Sequence, residues 1–191
     1  MKQTFILIII LLTQCASYGQ SKQEVCSQWP SLLKPSCENI YQIWTEGTND
    51  IYYSGYAWHN RYTYSEERVR SYNEMAWGGG LGKGFYDKDN NNDWSGLYAF
   101  AFLDSHRNVE PIAGYGFLKT AQFKQNAEGG LGFTVFLTSR PDIFHSIPFP
   151  GILPMVSLRY RQVSISTTYI PGAFGVGNVL FCFGRIILEK T

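Results

Sequence analysis

The chain has 191 residues, of which 16% are charged and 16% aromatic, with 19 glycines and a formal net charge of +1. Soluble domains usually carry about a quarter charged residues, so something other than charge covers much of this surface, and the apolar composition excludes a disordered chain. A near-zero net charge gives no footprint for nucleic acid, and the longest apolar run, Phe5 to Leu12, is shorter than the roughly 18 to 20 residues that cross a bilayer as a helix.

Residues 1–19 read as a secretory signal peptide: Lys2, the apolar stretch Phe5 to Leu12, then small residues at Ala16, Ser17 and Gly19, with cleavage expected near Gly19. The stretch Leu12-Thr13-Gln14-Cys15 departs from a lipoprotein box at Gln14, where a small residue is needed. Loss of Lys2 from the 16 Lys and Arg balances them against the 15 Asp and Glu.

Residues 20–48 form an N-terminal segment. Export permits disulfides, and Cys26 and Cys37 flank Pro30 and Pro35; they are either a bridge closing a short loop or two thiols. Cys182 lies in an apolar run and reads as a buried small hydrophobe. No CxxC pair occurs and the three His are scattered, so no metal site is expected. Ser36 suits an N-cap, Cys37, Ile40, Tyr41 and Trp44 recur with helical spacing, and Gly47 offers a stop. This predicts one short amphipathic helix, lying on a membrane surface or barrel wall, or simply packed.

From residue 49 to 191 the period becomes two, with strands predicted near 51–64, 72–86, 94–103, 109–123, 128–138, 153–160, 163–170 and 177–188. Eight spanning strands of roughly 11 residues leave room for their connections, whereas ten would leave almost none. Large and small residues sort onto opposite faces. Trp94, Tyr98, Phe100 and Phe102 oppose Ser95, Leu97, Ala99 and Ala101; Leu131, Phe133, Val135 and Leu137 oppose Gly130, Gly132 and Thr134; Tyr52, Tyr56 and Trp58 oppose Gly55, Ala57 and His59. With so little charge, the large residues are assigned to lipid and the small ones to the inside. The fold class expected is all-β: an eight-stranded antiparallel transmembrane β-barrel preceded by a short amphipathic α-helix. Its interior, lined by glycine and alanine, would be hollow enough for one acyl chain.

His59 then sits inside, near the end of the first strand, and Asp104-Ser105 stops the third. Turn chemistry accounts for Asp104 and Ser105, and hydrogen bonding for an inward His. Alternating strand direction nevertheless brings all three to one rim, where base, carboxylate and hydroxyl are the parts for acyl transfer. Gly78 to Gly84 lacks the Ser/Thr and helix of a phosphate loop and reads as a strand kinked or approached closely by a ligand. Asp87 to Asp93 lacks the Gly and Glu of a calcium loop and reads as a solvated hairpin turn.

The motifs AWHNRYTY (57–64), WGGGLG (77–82), GLYAFAFLDS (96–105), EPIAGYG (110–116) and TYIPGAFGVGNV (168–179) together resemble the lipid A palmitoyltransferase family of Gram-negative outer membranes, PagP, over residues 36–188. The resemblance implies a cofactor-free, monomeric outer-membrane acyltransferase that moves a palmitoyl chain from the sn-1 position of a glycerophospholipid to a hydroxyacyl chain of lipid A. It carries the catalytic roles onto His59, Asp104 and Ser105, the floor of the acyl pocket onto Gly116, and lipid-access gaps onto Pro154 and Pro171. At the second gap the family's prolines are replaced by Ser54 and Ala76, and Asp50 and Arg140 match a pair that helps hold helix and barrel. Relatives end on Phe, whereas this chain has Leu188 followed by Glu189-Lys190-Thr191. The competing class is a non-catalytic barrel that binds or passes a hydrophobic ligand, which needs the hollow interior but not the three rim residues.

Overall fold

The computed structural model describes residues 22–90, 92–172 and 178–188. The expected signal peptide, the lipoprotein-like stretch and the final Glu189-Lys190-Thr191 lie outside the described residues. The chain divides into two compact units between Thr45 and Glu46.

The first unit carries α1 (Lys22–Cys26) and α2 (Lys34–Glu46). Helix α2 starts two residues before the expected cap, because Pro35 is tolerated in a first turn where its missing N–H has no partner to lose. Cys26 and Cys37 are bridged, with Cα atoms 5.8 Å apart, so the open question about these thiols resolves to a disulfide. The bridge closes a loop of sequence separation 11, worth about 3 kcal/mol on the loop-entropy account. Cys37→Ser is therefore expected to speed proteolytic cleavage between residues 22 and 45 relative to the barrel, measured by mass spectrometry of limited digests. Ile40 and Trp44 are exposed on α2, while Cys37 and Ile43 are buried.

The second unit is a closed antiparallel barrel of eight strands in sequence order: β1 (Thr48–His59), β2 (Gly78–Asp87), β3 (Asp93–Leu103), β4 (Val109–Lys124), β5 (Ala127–Thr138), β6 (Phe149–Tyr160), β7 (Val163–Ile170) and β8 (Val179–Leu188). A six-residue helix α3 (Glu66–Ser71) sits in the β1–β2 connection, with Ser65 as its N-cap. Among the described residues no helix is long and apolar enough to cross a membrane. The crossing surface is the outside of the barrel, where Leu81, Leu131, Leu137, Ile152, Leu158, Val163 and Ile165 are exposed, an apolar band of the kind that faces lipid.

The two ends differ. At the end where β1 begins, strands are joined by tight turns at Gln125-Asn126 and Arg161-Gln162, with Asn126 and Arg161 at positive φ. At the other end the connections span 60–77, 139–148 and 171–178. His59 closes β1 at this long-loop end, and the Asp104 turn follows β3 there.

The sorting of β5 holds, with Leu131 and Leu137 outside and Glu128 and Thr134 buried. That of β3 is the reverse of the expectation: Trp94, Tyr98 and Phe100 are buried within the barrel. In β1 a bulge between Ser54 and Tyr56 changes the parity, so Asp50, Tyr52 and Ser54 point inward below it and Ala57 and His59 above it. The interior is consequently not hollowed by small residues. It is filled by rings: Tyr52, Tyr98, Phe100 and Phe181 are buried together, with Phe102 and Phe183 packed on them, and Tyr52 stacks on Phe100 at 5.9 Å with planes 3° apart.

Glycine is what makes room for these rings. A Cβ on Gly82 would meet Tyr52 Cε2 at 2.6 Å, one on Gly114 the Tyr98 hydroxyl at 2.7 Å, and one on Gly84 the Trp94 indole nitrogen at 2.7 Å. The glycine run of β2 is thus a strand approached closely by side chains of its own barrel. Cys182, expected to be buried, is half-buried on the face opposite Phe181 and Phe183.

Candidate active site

His59 is the last residue of β1 and is almost fully buried. Its Nε2 lies 2.9 Å from Ser105 Oγ. Ser105 is in the turn that links β3 to β4, and Asp104 builds that turn. One carboxylate oxygen of Asp104 accepts the backbone N–H of His106 at 2.8 Å and of Asn108 at 2.7 Å, and the other accepts Asn108 Nδ2 at 3.3 Å.

The structure therefore brings His59 and Ser105 together but gives the Asp104 carboxylate a different task from the one expected. It organises a turn, in which Arg107 takes a positive φ, and does not reach the imidazole. The carboxylate on His59 Nδ1 belongs to Glu74, at 3.2 Å. Glu74 lies in the β1–β2 connection: the expected second strand, 72–86, includes it, but β2 begins only at Gly78, so period-two sorting misplaces it. Arg61 grips the same carboxylate with two bonds of 2.6 Å, and Glu74 Oε1 also accepts the backbone N–H of His59 at 2.9 Å. The Arg61 hydrogen bond first, then those from His59, hold the Glu74 carboxyl at about 2 against the opposing effect of burial. Its charge is present above that value and is lost only as pH falls through it.

Rings close over the pair. Tyr72 lies 4.8 Å from the His59 ring, and Tyr64 meets His59 edge-on at 5.7 Å. Asn73 ties the two sides of the site, since its N–H donates to the Ser105 carbonyl at 2.8 Å and its Nδ2 to the Asp104 carbonyl at 3.3 Å.

The remaining expected site residues lie along the barrel wall. Gly116 faces the interior, where an added Cβ would meet the Trp94 ring at 2.9 Å and Met155 Cε at 3.2 Å. Pro154 is in β6, whose ladder to β7 begins only at Met155 and Thr168; residues 149–154 pair with β5 alone, and Pro171 follows the end of β7. A similar lapse occurs between β1 and β2 beyond Ser54 and Gly78, but there Ser54 Oγ donates to the Ala76 carbonyl at 2.7 Å and the Ala57 N–H to the Glu74 carbonyl at 2.9 Å. Asp50 and Arg140 do not pair. Asp50 bonds Arg185 at 2.9 Å near the start of β1, whereas Arg140, just beyond β5 at the long-loop end, bonds Asp142 at 2.8 Å and lies 3.7 Å from Glu110. Register explains the swap: Asp50 and Arg185 both point inward from neighbouring strands.

A closed barrel with an apolar exterior, carrying a hydroxyl and an imidazole in hydrogen-bond contact at its long-loop rim, has the plan of a membrane-spanning β-barrel equipped for acyl transfer. Comparison with known proteins makes that class particular. Residues 39–185 match the family described as antimicrobial peptide resistance and lipid A acylation protein PagP, and the chain belongs to this family. It is 58% identical over 160 residues to the lipid A acyltransferase PagP of Bordetella parapertussis, covering 84% of this chain and 87% of that one. The lipid A acyltransferase PagP of Legionella pneumophila is 53% identical over 182 residues, covering 95% and 96%, and that of Legionella longbeachae 57% over 167 residues, covering 86% and 71%.

Proposed function

We propose that this chain is an outer-membrane acyltransferase that moves a palmitoyl chain from the sn-1 position of a glycerophospholipid to the hydroxyl of an acyl chain on lipid A. The observation that carries the reading is the 2.9 Å contact between His59 Nε2 and Ser105 Oγ at the end bearing long loops, the end that faces outward in barrels of this kind. In the reaction, the acceptor hydroxyl attacks the sn-1 ester carbonyl as its proton passes to His59 Nε2. The proton then goes to the departing glycerol oxygen, so the products are acylated lipid A and a lysophospholipid. Ser105 either assists this direct transfer through its hydroxyl or carries the chain transiently as an ester. Asp104 serves by holding the turn that presents Ser105.

The lapse between β6 and β7 at Pro154 supports lateral access for lipid, because proline has no N–H to contribute to a ladder. Between β1 and β2, Ser54 restores a hydrogen bond across the corresponding lapse, which favours the β6–β7 side as the route. Each strand has a neighbour on both sides in the closed barrel, with lapses only over part of the β6–β7 and β1–β2 seams, in keeping with a monomer in the bilayer. Mass spectrometry of lipid A from Gram-negative cells with and without the protein tests the function: an added C16 chain is expected, and unaltered lipid A would overturn it.

Gly116 sets the depth to which that chain reaches. Gly116→Met adds a side chain where even a Cβ presses on Trp94 and Met155, so the ring and thioether must rise toward the rim. The transferred chain is expected to shorten by two or more carbons, read from the product mass in a mixed-donor assay; retention of palmitate at full selectivity would show that the floor lies elsewhere.

A further inference from the structure

Above the bulge, β1 keeps its ladder to β8 as far as His59 and Val179 but has none to β2, so on that side the end of β1 needs other partners to fix His59. These come from three consecutive residues. The Tyr72 ring packs on the imidazole, Asn73 holds the backbone of Ser105 and of Asp104, and Glu74 binds His59 through both its backbone N–H and its Nδ1. We propose that Tyr72-Asn73-Glu74 is a clasp that sets the distance between His59 and Ser105, and that Glu74, not Asp104, is the positioning carboxylate of the imidazole.

The clasp's consequence for catalysis rests on the acyl-transfer reading, while its geometry follows from hydrogen bonding alone. An ionised carboxylate only accepts, and Arg61 keeps Glu74 ionised. The nitrogen facing it, Nδ1, must therefore carry the proton, which leaves the lone pair on Nε2 directed at Ser105 Oγ. That is the tautomer a general base requires, and the partner on the other ring nitrogen is what selects it. As the proton arrives at Nε2, the same carboxylate stabilises the imidazolium, an effect that grows in the transition state rather than in the bound ground state. Asp104 has no such means, because its oxygens are committed to the N–H groups of His106 and Asn108 and to the Asn108 amide. The clasp also has a sequence logic: a strand end that the lapse deprives of β2, though not of β8, is held on its open side by a loop whose side chain substitutes for the missing ladder.

Glu74→Gln keeps the shape of the side chain and removes its charge. The expected result is a kcat lower by about 10²- to 10⁴-fold, with KM for the donor within about threefold, in a barrel that keeps its heat-modifiable mobility on gels. Asp104→Asn, which retains an acceptor for the turn, is expected to lose less than Glu74→Gln does. A second readout is independent of activity: long-range 1H–15N spectra of the wild-type protein in micelles should show His59 protonated at Nδ1, and Glu74→Gln should populate the other tautomer. Wild-type kcat in Glu74→Gln, or an Nε2-protonated His59 in the wild type, would overturn the proposal. Absence of any acyl transfer by the wild type would instead refute the proposed function, while the spectra still report on the clasp.

Discussion

Replacing His59 by Asn should lower acyl transfer by about 10²- to 10⁴-fold, the usual contribution of a positioned general base, or about 3 to 5 kcal/mol of barrier. The imidazole hydrogen-bonds both the Ser105 hydroxyl and the Glu74 carboxylate; Asn fits the space but offers no base. Ser105→Ala then divides the two routes. If Ser105 carries the chain as an ester, its removal costs as much as that of His59, because the residues act as a unit and their losses do not add. If Ser105 only assists a direct transfer, the loss is about tenfold, near the value of one hydrogen bond. Transfer rates for the wild type, both single variants and the double variant, in detergent micelles with a radiolabelled phospholipid and purified lipid A, give the comparison. Undiminished transfer in His59→Asn would remove the imidazole from the chemistry and leave the interior of the barrel as the functional feature.

The parts of the site that sequence exposed were those obeying a period. Ala57 and His59 fall on one face by alternation, and β1 and β3 run the same way, which is enough to bring His59 and the Asp104-Ser105 turn to one rim. Glu74 was hidden because alternation extends the second strand back to residue 72, whereas residues 60–77 form a connection whose path sets the position of this carboxylate. The inversion of β3 has a different origin. Period two separates two faces without labelling either as inner, and a deficit of charge argues for a lipid-facing wall without naming its residues. Glycine marks the inner face here: Gly80 and Gly82 on β2 lie beside Phe100 and Tyr98 in the ladder, and a Cβ on Gly82 would run into the inward Tyr52 ring. Rings and glycines, both in excess in this chain, are therefore partners in one interior. On the proposed function, an entering acyl chain would have to turn aside rings such as Tyr52 and Phe100, which now pack on each other.

Arg185→Met should destabilise the barrel by about 3 to 5 kcal/mol, the cost of stripping one partner from a buried ion pair. Arg185 is 3% exposed and Asp50 1%, and together they anchor a buried polar network against Trp94. Arg185 Nη1 donates to Asp50 at 2.9 Å and Nη2 to the Tyr86 hydroxyl at 2.8 Å, its guanidinium lies 4.3 Å from the Trp94 ring, and Thr48 donates to Asp50 at 2.9 Å. With the cation gone, Asp50 is left to protonate or to draw in water, and Trp94 loses the planar cation it stacks against. Because Trp94 also contacts the space at Gly116, the same variant should blur the length of the transferred chain as well as lower stability. Asp50→Leu in addition to Arg185→Met removes both charges and is expected to regain much of the lost stability without restoring chain selectivity, since the support of Trp94 is still missing. Urea titration of the refolded barrel followed by Trp fluorescence, together with product masses from a mixed-donor assay, separates the two effects. Equal stability of Arg185→Met and wild type would mean that Asp50 finds another partner, and undisturbed selectivity would mean that Trp94 is held by its apolar neighbours Leu118 and Met155 alone.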